Sequence, residues 1–125
     1  MDVTKQIEYW TASSAEDISA AESLLEKGHL RHCLFFAHLS LEKLLKAYVV
    51  RQTGDVPPRI HSLIRLAEIA GLDLDEERDE FIRSFGVYQL EGRYPDTRLY
   101  ALEADDVSAE LSRTKETLEW LKNQL

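Results

Sequence analysis

The sequence predicts an all-α domain: an antiparallel up-and-down four-helix bundle with one additional short helix. Three observations carry that expectation. Apolar residues recur at three- and four-residue steps over long segments, the period of a helix with one buried face. Gly28, Gly54, Gly71 and Gly92 punctuate those segments as helix stops. The 125 residues are 44% hydrophobic and 30% charged, with five glycines and three prolines, a mixture that suits a helical core and not a disordered chain. That length supports one core, so residues 1–125 are read as a single domain.

The first helix is expected from about Thr4 to Lys27, with Ile7, Trp10, Ser14, Ile18, Ala21 and Leu25 on one side and Gly28 as its stop. A second runs from about Leu30 to Gln52 and ends near Gly54. It is apolar almost all round: Leu34, Ala37, Leu41, Leu44, Leu45 and Tyr48 form a broad face, and Phe35, Leu39 and Val50 cover much of another. Such a helix belongs at the centre of a core or at a subunit interface. Pro57-Pro58 makes a stiff extended connector, because a proline disfavours helix in the residue before it. Ser62 can cap a short third helix through Ala70, closed by Gly71. Asp73 or Asp75 can cap a fourth through Glu91, with Phe81, Ile82, Phe85 and Tyr88 inward and Glu76 and Glu77 near its positive end. After a bend at Arg93-Tyr94-Pro95-Asp96, Glu103 or Asp105 starts a fifth, with Val107, Leu111, Thr114, Leu118 and Leu121 on one face.

Three constellations could carry chemistry. His38, Glu42 and Lys46 recur every four residues and share a face of the second helix. They read either as a solvated edge or as a groove where Lys46 or Lys43 meets phosphate and His38 exchanges a proton. His61 precedes the third helix, as a cap or a satisfied hydrogen-bond partner or, with Arg59, as part of an anion site at the helix start. Arg93, Tyr94 and Asp96, followed by Arg98 and Tyr100, read either as a turn with a helix cap or as a nucleotide or RNA contact. In the second reading the arginines would meet phosphates and Tyr94 would stack on a base.

Other classes are disfavoured. A net charge of −8 argues against a general nucleic-acid coat, which needs a basic surface, yet leaves room for a small basic pocket. The single Cys33 excludes an intrachain disulfide, and its apolar neighbours point to a buried, inert thiol. His29 and His32 lack supporting metal ligands nearby, and no calcium loop, phosphate-cradling glycine loop or nucleophile elbow occurs. No metal or cofactor is expected. The N-terminus lacks a signal pattern and the longest apolar stretch is interrupted by charge, so the expected location is the cytoplasm, away from membranes.

Four blocks in order go further: Ala20-Ala21-Glu22-x-Leu24-Leu25-Glu26-x-Gly28-His29, Phe36-Ala37-His38-x-x-Leu41-Glu42-Lys43-Leu44-Leu45-Lys46-Ala47, His61-Ser62-Leu63 and Arg93-Tyr94-Pro95-Asp96. Together they closely resemble the HEPN family (higher eukaryotes and prokaryotes nucleotide-binding), over nearly the whole chain. The resemblance implies a helical bundle that usually dimerises and often works beside a small nucleotidyltransferase, in some cases as a toxin–antitoxin module. Many members are metal-independent ribonucleases with an arginine followed, after four to six residues, by a histidine. Here Arg93 is in place, but the corresponding positions are Arg98, Leu99 and Tyr100. The chain therefore resembles an Arg-Tyr-Pro-Asp-containing subgroup without that histidine, which argues against catalysis; no catalytic residue is assigned. Taken with the polar blocks above, the resemblance leads us to expect a homodimer that binds nucleotide or RNA, with Lys43, Lys46, His61, Arg93, Tyr94 and Asp96 around the site and His38 nearby. The rival readings are a ribonuclease using Arg93 with a displaced His38 or His61, and an interaction module in which the same residues only pin helices.

Overall fold

The structure, a computed structural model, describes residues 1–85 and 102–125. Among them it is all-helical, with five helices and no strand: α1 (Val3–Glu26), α2 (Leu30–Thr53), α3 (Leu63–Ile69), α4 (Glu76–Phe85) and α5 (Ala104–Lys122). The expected helical bundle with a short extra helix is therefore what forms. The fourth helix was expected to reach Glu91; residues beyond Phe85 there, and the Arg93-Tyr94-Pro95-Asp96 bend, lie outside the described residues.

Local signals place the ends. Asp2 caps α1 by accepting from the Lys5 amide. Gly28 takes a left-handed φ of 80°, and His29 N–H donates to Leu24 O while Gly28 N–H donates to Leu25 O. This paired closure turns the chain straight back into α2, so α1 and α2 pack antiparallel. Gly71 closes α3 the same way, with Leu72 N–H on Ala67 O and Gly71 N–H on Glu68 O. Ser62 caps α3 and Asp75 caps α4, whereas Glu103 precedes α5 without a side-chain cap. Asp105 and Asp106 in the first turn of α5 supply favourable charge instead.

α2 is the central element and packs on α1, α3 and α5. Every residue from Leu44 to Val50 is buried, which accounts for a helix with almost no polar side. The α1–α2 seam brings small residues together: Ser14 Oγ donates to Ser40 O at 2.7 Å, and Ser40 Oγ donates to Ala37 O. At the other end, the Tyr48 hydroxyl donates to Leu121 O, and Arg51 donates to the carbonyls of Gln124 and Leu125. The last turn of α5 is thus tied to α2.

α4 and α5 are joined by a reciprocal pair of stacked cations. The Arg78 guanidinium of α4 lies 4.4 Å from the Trp120 ring centroid of α5, and Arg113 of α5 lies 4.6 Å from that of Phe81 on α4. Each contact at such a site contributes about 0.5–1 kcal/mol. Urea unfolding of Arg113→Ala and Arg78→Ala should show losses of that size. In a Trp120→Leu background, Arg78→Ala should cost less than in wild type, since its stacking partner is gone and only its ion pair with Asp75 is left to lose.

Candidate functional site

The polar stripe of α2 is not a solvated edge. His38, Glu42 and Lys46 are 1%, 3% and 8% exposed. A buried carboxylate is tolerable only with partners, and Glu42 has them. Lys46 Nζ donates to Glu42 Oε2 at 3.1 Å, and His61 Nδ1 lies 3.2 and 3.1 Å from the two carboxylate oxygens. His38 Nδ1 is farther off, at 3.9 Å.

The connector makes the His61 contact possible. Gly54 at φ 69° ends α2, Val56 N–H donates to Asp55 Oδ1, and Ile60 N–H donates to Pro58 O. These turns carry the chain back along α2. Ser62 supplies the α3 cap as expected, so of the readings for His61 the hydrogen-bond partner holds and the cap does not: its ring is directed to Glu42. Its side chain remains 49% exposed. A carboxylate only accepts, so this contact is made by Nδ1–H and leaves Nε2 outside it. The expected Arg59 anion site gains nothing from α3, which has only seven residues and whose Arg65 amide is already taken by Ser62.

The two lysines are likewise committed. Lys46 Nζ also lies 5.4 Å from the Trp10 ring centroid, and Lys43 Nζ meets Ser13 Oγ at 2.7 Å and Asp17 Oδ2 at 2.8 Å. Lys43 thus pairs with Asp17 across the α1–α2 seam and Lys46 with Glu42 one turn back on α2, leaving His61 as the half-exposed polar member. Sequence reasoning missed the α1 contribution of Trp10, Ser13 and Asp17. The available signal was their spacing on one side of α1 opposite Lys43 and Lys46.

His38 lies in the core, its ring stacked on Phe85 at 6.3 Å between centroids. Nε2 has no hydrogen-bond partner among the described residues. Burial pushes its pKa down to about 4, against a raising influence from Glu42 and a further lowering one from His61. A ring so placed stays neutral near pH 7 and is a poor proton donor. Cys33 is fully buried and its thiol is pushed up to about 11 by desolvation, the inert cysteine expected from its neighbours. His29 and His32 are exposed and meet edge to face, and no group of three or more metal-binding side chains occurs among the described residues. No described helix is long and apolar enough to cross a membrane.

The structure thus joins His38, Lys46 and His61 around Glu42, while Lys43, the next residue, turns to Asp17; Arg93, Tyr94 and Asp96 lie outside the described residues. Comparison with family models decides the relationship: the HEPN domain model matches residues 7–124. The chain belongs to the HEPN domain family. That family is associated with RNA-binding, nuclease and toxin–antitoxin roles, and its domains often dimerise. Among curated proteins and among solved structures, none matches the chain.

The buried imidazole makes the HEPN fold acid-sensitive in a defined window. Below the ordinary histidine pKa of 6.5 the unfolded chain takes up a proton that folded His38 refuses until about pH 4. Stability tied to this group is therefore complete above pH 6.5 and declines towards pH 4, by about 3 kcal/mol in all. Urea midpoints at pH 7 and 4.5 should converge less in wild type than in His38→Phe, which lacks the titrating ring. Equal losses in both proteins would assign the acid sensitivity elsewhere.

Proposed function

We propose that this HEPN domain binds nucleotide or RNA through His61 together with Arg93, Tyr94 and Asp96, and that it acts with a nucleotidyltransferase partner in a toxin–antitoxin-like module. The observation that carries the reading is the Glu42–His61 pair. A half-exposed imidazole anchored through Nδ1 on a buried carboxylate is oriented before any ligand arrives, so little ordering remains to be done on binding. In this reading His61 and Arg93 meet phosphate, Tyr94 stacks on a base, and Asp96 orients Arg93 or a ribose hydroxyl. Lys43 and Lys46 balance Asp17 and Glu42, keep the site from repelling phosphate, and stand behind the phosphate contacts.

One observation favours a second reading, a metal-independent ribonuclease. Of the two histidines near the site, only His61 combines exposure with a carboxylate on its other nitrogen, the arrangement that orients a general base. His61, and not His38, would then take the proton of the attacking 2′-hydroxyl.

A single set of measurements separates these readings. Calorimetric titration with ATP, AMP and short RNA should show binding by wild type, weakened about tenfold or more in His61→Ala and Arg93→Ala through loss of a charge-assisted contact. RNA incubated with the protein in EDTA should stay intact. Cleavage that disappears in His61→Ala would replace binding by catalysis, and absence of binding with lowered melting temperatures in both variants would leave a purely structural cluster.

In the same proposal, a homodimer would form through a different face. Ile7, Ala12, Ala15 and Leu125 line an apolar groove of about 660 Å³ between α1 and the end of α5, with Glu8 and Lys122 also on its lining. A two-fold symmetric contact makes each side present both charges, so Glu8 would meet the partner's Lys122 twice over. Light scattering should show monomers for Glu8→Lys and for Lys122→Glu, and dimers again for the double exchange. Dimers in all four proteins would place the interface elsewhere.

A further inference from the structure

Of the large apolar side chains among the described residues, Met1, Tyr9 and Val56 stand out as exposed, and Tyr9 alone is aromatic. Tyr9 is 60% exposed. It does not stand free: its ring meets that of Trp10 edge to face, with centroids 5.1 Å apart. Trp10 in turn lies beneath Lys46, whose ammonium is bound to Glu42, the carboxylate that holds His61. An exposed aromatic therefore sits at the end of a continuous chain of contacts that leads to the site.

The helix spacing adds a second connection. Tyr9, Ser13 and Asp17 follow at four-residue steps on α1 and share one side of it. Ser13 and Asp17 hold the Lys43 ammonium, which is itself partly exposed. One flank of Tyr9 thus offers a flat ring and the next turn offers a fixed cation. That is the pairing of stacking surface and backbone charge with which proteins follow a single strand.

We propose that Tyr9, buttressed by Trp10, is a stacking platform for one nucleobase of a bound RNA strand, with Lys43 near the adjoining phosphate. The proposal rests on the RNA-binding reading above and extends that site from the α2–α3 connector onto α1. Trp10 is braced between Lys46 and Tyr9 and limits the freedom of the Tyr9 ring. Stacking accepts any base, so the platform recognises single-stranded RNA without reading its sequence.

The test titrates wild type, Tyr9→Phe, Tyr9→Leu and Tyr9→Ala with a short single-stranded RNA and, separately, with ribose 5-phosphate, which has no base. Base–aromatic stacking corresponds to about a 5- to 150-fold change in affinity. RNA affinity should fall by a factor in that range for Tyr9→Ala and Tyr9→Leu and hold in Tyr9→Phe, while ribose 5-phosphate binds all four proteins alike. An unchanged RNA affinity in Tyr9→Ala, with His61→Ala still impaired, would overturn the platform and leave the RNA-binding reading standing. RNA binding absent from wild type would overturn both. Tyr9 is a surface residue, so its variants should fold, and their melting temperatures provide the control.

Discussion

The buried carboxylate of Glu42 is the constraint around which this bundle is organised. An unpaired carboxylate at that depth would cost several kcal/mol, so the fold must bring compensation to it from nearby elements. Lys46 supplies charge from one turn further along α2, and His61 supplies a hydrogen bond from the connector. Lys46 also reaches Trp10, so the same carboxylate fixes a cation against α1. Neutralising one group therefore sets the position of α1, α2 and the approach to α3 together. Removing it would leave the Lys46 ammonium buried without a counter-charge, a larger penalty than the loss of one hydrogen bond.

The fold was largely legible because its rules are local. The three- and four-residue apolar steps marked the helices, Gly28 and Gly71 marked sharp reversals, and Ser62 and Asp75 marked starts, each through backbone chemistry confined to a few residues. The stripe of His38, Glu42 and Lys46 was visible as a shared face, but its burial was not. Spacing reports which residues neighbour one another on a helix and is silent on what covers them. Here the cover comes partly from His61, nineteen positions after Glu42, and from Trp10 on another helix. The capture of Lys43 by Ser13 and Asp17 was hidden for the same reason, since it depends on how two helices are rotated about their axes.

Membership of the HEPN domain family gives these contacts a functional setting without changing their physics. A site with its lysines already paired carries little net charge of its own. The acidic chain as a whole would repel nucleic acid at long range. In the proposed RNA-binding reading, affinity would then come from short-range geometry: an oriented imidazole, an aromatic face and a cation held in place. Binding of this kind should depend less on salt than binding by a basic surface, because fewer counterions are displaced.

The burial of Cys33 has a practical side. The chain has one cysteine, and it is enclosed in the core with a thiol that resists ionisation. Thiol reagents react through the thiolate and need access to it, and this residue offers neither in the folded state. The native sequence is thus already a quiet background for site-specific labelling. A single cysteine placed on an exposed helix position would take up a fluorophore or spin label alone, with no prior substitution in the core.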